Sequence, residues 1–226
     1  MVLALDTCLG ACSVAVTADG RVLASACEPM TRGHQERLAV MAREVMAQAG
    51  IGFAALDRIG VTVGPGSFTG LRVGVAFAKG LGLALGVPCV GVGSLEALAA
   101  TAGLPGRVAA AIDSGRGQIY LQTFADGRPL SEPAVMPLDA AMAAVAALGG
   151  GVLVGPGVDL LQAGAAFERA PLAAPDPAAV ARLASLGEAR EATPLYLRPA
   201  DATPPKPRPP RPPQPRPRSR PGPAAA

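Results

Sequence analysis

Leu5-Asp6-Thr7, followed by Gly10 and then Ala18-Asp19-Gly20-Arg21, recurs as Ile112-Asp113-Ser114, Gly117 and Ala125-Asp126-Gly127-Arg128. The spacing between copies is 107 residues at both the Asp–hydroxyl pair and the Asp-Gly pair, so the two stretches align without a gap. Each copy reads as a strand ending in Asp and a hydroxyl, a glycine turn, a second strand and an Asp-Gly hairpin turn. Further out, Gly60-Val61-Thr62-Val63-Gly64-Pro65-Gly66 is echoed by Gly151-Val152-Leu153-Val154-Gly155-Pro156-Gly157, each followed by helix-like sequence. Both halves share one order: β-hairpin, helical stretch, buried strand, Gly-Pro-Gly turn, helix. A duplicated unit of this kind predicts two related α/β lobes of the actin-like ATPase architecture. The expected divisions are an N-terminal lobe at 1–103, a shorter C-terminal lobe at 104–203 and a tail at 204–226.

The charge divides along the same lines. Of 20 basic and 17 acidic residues, six basic and no acidic ones lie in 204–226. The remaining 14 basic and 17 acidic residues leave 1–203 at a net −3, although the whole chain is formally +3. The tail interleaves eleven prolines with Lys206, Arg208, Arg211, Arg216, Arg218 and Arg220. Such a segment is expected to be extended and disordered. It reads first as a solvated extension with no defined partner, and second as an electrostatic arm for RNA.

Several functional classes are excluded or disfavoured. No uninterrupted apolar run reaches the roughly 18–20 residues of a membrane helix, and the longest, Ala140–Val154, is broken by Gly149, Gly150 and Gly151. The chain starts directly with strand-like Val2-Leu3-Ala4-Leu5 and has no signal pattern, so a cytoplasmic location is expected. Cys8, Cys12, Cys27 and Cys89 are then expected as reduced thiols. A single histidine, His34, rules out histidine-pair metal sites and two-histidine catalysis. At a helix start it reads as a cap or a surface contact.

Asp6-Thr7 and Asp113-Ser114 can hold magnesium and wrap amides around phosphate, with Gly155 and Gly157 at the second Gly-Pro-Gly turn. The alternative is that Asp and hydroxyl only stabilise tight turns. Gly64-Pro65-Gly66-Ser67-Phe68-Thr69-Gly70-Leu71-Arg72 joins strand to helix but lacks the Gly-Lys-Ser/Thr ending of a P-loop. Ser67 or Thr69 would cap the helix that follows. That helix, Leu71–Leu85, is apolar nearly all round, and Gly70, Gly74, Ala78, Gly82 and Gly86 form a smooth stripe along it. A second helix, Gly33–Ala49, presents Leu38, Met41 and Val45. The surplus apolar surface of the pair favours a helical-bundle interface with another chain. Leu38, Met41, Val45, Gly70, Gly74, Phe77, Ala78, Leu81 and Gly82 are its expected contacts, and an ordinary helix pair inside one lobe is the alternative.

Five stretches resemble the TsaB (YeaZ-type) family: Leu3-Ala4-Leu5-Asp6-Thr7, His34-Gln35-Glu36-Arg37-Leu38, Gly64–Arg72, Ser94-Leu95-Glu96-Ala97-Leu98-Ala99 and Pro194-Leu195-Tyr196-Leu197-Arg198. The resemblance spans 2–198 and does not cover the tail. It implies a noncatalytic scaffold and activator that dimerises with the catalytic paralogue TsaD, which threonylcarbamoylates adenosine 37 of tRNAs reading codons that begin with A. The paralogue holds a metal through two histidines on its first helix. This chain has only His34, with Leu38 one turn on, so it should be no enzyme by itself and should hold no metal. The resemblance further implies a dimer bundle built from the first two helices and an additional ATPase subunit, TsaE. Beside these stand tRNA contact through the complex, no cofactor required by this chain, and a nucleotide, ATP or ADP with Mg, able to lie at a subunit boundary, with homodimer and monomer both left open for the isolated chain. A free-standing ATPase or small-molecule kinase of the same fold is the alternative.

Overall fold

The computed structural model describes residues 1–103, 105–162, 164–186 and 190–198. The first lobe is built from β1 (Val2–Asp6), β2 (Ala11–Ala18), β3 (Arg21–Pro29), α1 (His34–Gln48), β4 (Arg58–Gly64), α2 (Phe68–Leu85), β5 (Cys89–Gly93) and α3 (Ser94–Ala102). The second continues with β6 (Arg107–Gly115), β7 (Gln118–Ala125), β8 (Arg128–Pro129), β9 (Ala134–Pro137), α4 (Leu138–Leu148), β10 (Gly151–Val154) and β11 (Phe167–Ala170), and α5 (Pro177–Leu186) follows.

One sheet runs β3-β2-β1-β4-β5, and the other runs β11-β10-β6-β7-β8, with β9 also paired to β7. In both, a central strand (β1 or β6) pairs antiparallel with its hairpin partner on one side and parallel with a crossover strand on the other. The expected duplication is therefore present in the ladders. So is its turn chemistry: Asp19 and Gly20 sit at φ 49° and 78°, Asp126 and Gly127 at 50° and 76°. Positive φ at both central residues is the hairpin turn whose twist matches the flanking strands. This is the actin-like ATPase arrangement that the repeat predicts.

Burial follows the layering. β1 is buried along its whole length because helices cover both faces, so it reads as a continuous apolar run rather than an alternation. Leu3, Leu5, Val14 and Val16 meet Leu38, Met41 and Val45 of α1 and Val75 and Ala78 of α2 on one face. Val2 and Ala4 meet Val180, Ala181 and Ala184 of α5 on the other. In the second lobe α4 covers Ala109, Ala111, Ile119 and Leu121, while Leu95 and Leu98 of α3 cover Val108, Ala110 and Ile112.

The structure departs from the sequence reading in four places. First, the chain is interleaved. α5, assigned to the second lobe with 104–203, packs on β1, β2 and β4, where Gly60 leaves room for Ala184. α3, counted with 1–103, lies between the two sheets: Leu95 and Leu98 cover the second, while Ala97 packs with Val90 and Val92 of the first. The segment after α5 stays with the first lobe, where the Leu195 amide donates to the Val63 carbonyl at 2.7 Å. The tail at 204–226 lies outside the described residues. Second, the helix expected after Gly155-Pro156-Gly157 is only a 3₁₀ turn, Val158–Leu160, so α2 has no counterpart.

Third, the glycine stripe faces inward. A Cβ on Gly70 would lie 1.9 Å from the Thr7 carbonyl oxygen, and one on Gly74 would lie 2.5 Å from Thr7 Oγ1. One on Gly82 would lie 3.0 Å from the Val87 oxygen. The stripe exists so that α2 can lie close to its own sheet. Leu38, Met41, Val45, Gly70, Gly74, Ala78 and Gly82 are buried inside the lobe, and Phe77 and Leu81 are half-buried against the same core. Seven of the nine residues expected to contact another chain are therefore core residues, while Phe77 and Leu81 keep part of their surface open. Fourth, α2 is by length and composition apolar enough to cross a membrane, a property masked in the sequence by Arg72 and Lys79. Its apolar surplus is in part spent on β1 and β4.

Candidate functional site

The four turns singled out in the sequence converge between the lobes. A cleft of about 470 Å³ is lined from the first lobe by Cys8, Leu9, Gly10, Thr31, Gly66 and Ser67, and from the second by Ile112, Asp113, Ser114, Tyr120, Pro156 and Ala173. Asp113 and Ser114 thus stand where the repeat places them. Asp6 and Thr7 do not: both are fully buried. Gly155 and Gly157 are buried too, with Pro156 alone of that turn at the cleft.

The difference between the two aspartates comes from a one-residue slip. Asp6 pairs with Ser13, but Asp113 pairs with Ile119 rather than with Tyr120, the residue matching Ser13. Side chains alternate along a strand, so such a slip exchanges faces. Asp6 shares the face of Val2 and Ala4, under α5. Asp113 shares that of Ala109 and Ala111, on the α4 side, and emerges exposed at the strand end. The gap-free alignment of the sequence conceals this slip.

Asp6 is held in a buried polar cluster. Its Oδ1 accepts from the Thr62 hydroxyl at 2.5 Å and from the Cys8 amide at 3.2 Å, while Oδ2 is buried without a partner. Burial raises its pKa from 3.8 to about 6, against the lowering effect of those bonds. Cys8 Sγ lies 2.9 Å from Thr62 Oγ1, and burial together with the Asp6 charge pushes its thiol well above the usual range.

Five amides of these turns are already used within the protein. Cys8 N goes to Asp6, Ser67 N to the Cys8 oxygen at 2.8 Å and Gly10 N to the Ala173 oxygen at 3.1 Å. On the other side Gly115 N goes to Asp113 Oδ1 at 2.7 Å, and Gly157 N to the Ala111 oxygen at 3.0 Å. Each Asp therefore does the turn-stabilising work that was the alternative reading. His34 is buried, with Nε2 unpartnered, rather than a surface cap. Leu38, one turn on, is core. Among the described residues no three His, Cys, Asp or Glu side chains gather as a metal cluster.

A family model described as TsaD, tRNA N6-adenosine threonylcarbamoyltransferase, matches residues 26–174. The solved structure of YeaZ from Pseudomonas aeruginosa is 33% identical with a TM-score of 0.72, covering 87% of this chain and 99% of that one. An uncharacterized protein of Mycobacterium tuberculosis (strain H37Rv) is 35% identical over 213 residues, 90% of this chain and 94% of the relative. The tRNA threonylcarbamoyladenosine biosynthesis protein TsaB of Escherichia coli (strain K12) is 38% identical over 122 residues. The chain belongs to the TsaB/YeaZ-type family. It spans about half the length of the TsaB relatives of Escherichia coli and Haemophilus influenzae in these alignments.

The residues that carry the TsaB/YeaZ-type resemblance now have physical roles. Gly64, at φ 105°, turns the chain, and Gly66 lets it pass the Cys8 carbonyl. Ser67 Oγ caps α2 by accepting from Gly70 N at 3.3 Å. Phe68 and Arg72 point outward instead: the Arg72 guanidinium lies 3.7 Å from the Phe68 ring centroid, and its Nε donates to Tyr196 Oη at 3.1 Å. Arg198, two residues on, donates to the Ser114 carbonyl at 2.5 Å. The role of this strap of 194–198 across both lobes was not assigned in the sequence, although its motif was visible there.

Outward apolar surface does remain on the TsaB/YeaZ-type helix pair, carried largely by residues other than those expected. Ala76, Gly80, Leu83 and Ala84 of α2 are exposed, Leu83 at 87%, with Arg72 and Lys79 exposed on the same side of the helix, and Val40 of α1 is exposed as well.

Proposed function

We propose that this chain is a noncatalytic scaffold and activator subunit in N6-threonylcarbamoylation of adenosine 37 of tRNA, pairing through the outer face of α1 and α2 with a TsaD-like catalytic partner. The carrying observation is Leu83: a leucine 87% exposed on a small-residue helix face, in a member of a family whose named relatives are biosynthesis proteins for that modified base. Anchors of this kind dominate binding when a partner encloses them. The consumed amides of the inter-lobe turns support a chain that needs no nucleotide of its own. ATP or ADP with Mg would then sit at a subunit boundary, and the free-standing ATPase reading is not favoured. A TsaE-like ATPase, tRNA reached through the complex, homodimerisation of the isolated chain and a cytoplasmic location complete the proposal.

The test is co-purification with the TsaD-like protein of the same cell. Leu83→Asp, at an exposed position, should keep the melting temperature within a few degrees and lower capture at least tenfold. Undiminished capture by a folded Leu83→Asp chain refutes this face as the interface.

A further inference from the structure

Phe68, Arg72 and Tyr196 form a surface cluster that neither the core nor the inter-lobe turns use. The chain has five Phe, two Tyr and no Trp, and two of these rings meet in the open. Phe68 is 42% and Tyr196 45% exposed, with their centroids 5.3 Å apart. The Arg72 guanidinium lies 3.7 Å from the Phe68 centroid and 6.0 Å from that of Tyr196. Its Nε is committed to Tyr196 Oη at 3.1 Å. One ring thus sets the plane of the guanidinium and the other its rotation, while the two Nη groups have no partner among the described residues. The neighbouring acids do not serve them. Glu191 accepts from Lys79 at 3.2 Å, and Asp113, exposed beside the Ser114 that Arg198 holds, accepts from Gly115 N. The open Nη1–Nη2 edge can make two parallel bonds to a carboxylate. Because the fork is already oriented, such docking costs little further side-chain freedom.

We infer that Arg72, framed by Phe68 and Tyr196, is the docking point for a carboxylate of the chain that covers the outer face of α2. The inference deepens the proposed function and rests on it for the partner. Arg72 and Leu83 are eleven residues apart, close to three helical turns, so both stand on one side of α2 about 16 Å apart along its axis. Ala76 and Gly80 lie between them, exposed and small, so another helix or loop can lie close there. The face then has an apolar anchor at one end and an arginine beside two aromatic rings at the other, the residue types on which interfaces concentrate their energy. A second copy of this chain fits poorly: α2 contains no acid, so α2 laid against α2 puts no carboxylate opposite Arg72. RNA fits poorly too. Lys79, the other cation on this side, is bonded to Glu191, and the small apolar residues between offer nothing to a phosphate backbone.

The experiment measures the affinity of the full chain for the TsaD-like protein of the same cell, comparing the parent with Arg72→Lys, Arg72→Gln and Leu83→Asp. Arg72 is exposed, so its variants should melt within a few degrees of the parent. Arg72→Gln should bind about 30-fold more weakly, and Arg72→Lys, which keeps the charge but not the fork, about tenfold. Single replacements of the partner's exposed acids by Gln should then reveal one whose loss costs nothing further against Arg72→Gln. Parent-like binding by Arg72→Gln overturns the inference, and if Leu83→Asp still fails to bind, the proposed function stands without it. Absence of any such coupled acid overturns it as well. So does loss of unmodified tRNA binding by the isolated Arg72→Gln chain with partner affinity unchanged, which makes phosphate the ligand. Weak binding by both Arg72→Gln and Leu83→Asp supports both readings, and parent-like binding by both refutes both.

Discussion

The hydroxyl of Thr62 donates to Oδ1 of Asp6 across 2.5 Å, and both side chains are fully enclosed. The bond stabilises an anion that burial opposes, and burial wins: the carboxyl titrates at about 6 instead of 3.8. Between those values the folded protein keeps a proton that the unfolded chain has released. The contribution of Asp6 to stability is therefore full below about pH 3.8 and lost as pH rises through about 6. A shift of about two units corresponds to about 3 kcal/mol. Asp6→Asn, which keeps an acceptor for Thr62, should gain on the parent protein as pH goes from 4 to 7 and then hold that gain. Melting curves at unit steps of pH check this, and parallel profiles for the two proteins would refute it.

Two glycines six residues apart on α2 should respond oppositely to alanine. Gly74→Ala pushes a methyl to 2.5 Å from Thr7 Oγ1, which is itself fixed by its bond to the Gly70 carbonyl at 2.8 Å. Overpacking of this kind costs about 1–3 kcal/mol. A Cβ on Gly80 meets nothing within 4 Å, so Gly80→Ala should gain about 1 kcal/mol of helix propensity. At about 2–4 °C per kcal/mol for a chain of this size, calorimetry separates the two. A Gly74→Ala protein as stable as its parent would show that α2 does not lie against Thr7 as described.

The cysteines should react in order of exposure. Cys27 is exposed on the edge strand β3, Cys89 is intermediate, and Cys8 and Cys12 are buried, with the Cys12 thiol pushed up to about 11 by burial. Maleimide at pH 8 should mark Cys27 first and should reach Cys8 and Cys12 only after denaturation, as read by peptide mass spectrometry. Fast native labelling of Cys8 would contradict the burial of the cluster around Asp6.

Arg198→Ala removes the donor to Ser114 and Arg72→Ala the donor to Tyr196. Such bonds are worth on the order of 1–2 kcal/mol each, less where solvent competes, so melting should change by only a few degrees. Amide exchange across 190–198 and at Gly115 should nevertheless rise, most in the double variant. Unchanged protection in the double variant would leave the strap held by its backbone bond to Val63 alone.

What the sequence discloses here is local chemistry. Gly33 and Gly50 bracket α1, Ser67 and Gly86 bracket α2, and the two Asp-Gly pairs adopt the turns expected of them, because each signal depends on a few adjacent residues. The meeting of the Cys8–Gly10 and Asp113–Ser114 turns in one cleft also follows from the repeat. The direction of the Gly70–Gly82 stripe does not, since periodicity defines a face but not the neighbour that fills it. Thr7, which explains the stripe, lies more than sixty residues earlier. The register slip at Asp113 is likewise silent, because one residue taken up in a turn leaves the motif spelling intact while moving its side chain to the other face.

The interleaving of the lobes has a consequence for synthesis. When the first hundred residues have left the ribosome, the strands β1, β4 and β5 can already associate, yet the floor on which Val2, Ala4 and Gly60 rest is encoded from Pro177 onward. A nascent chain must therefore finish the sheet of its second lobe before the older one can be sealed. The last-made helix closes the first-made sheet, and truncation at the 103/104 boundary should yield a half-covered and sticky product rather than an independent lobe.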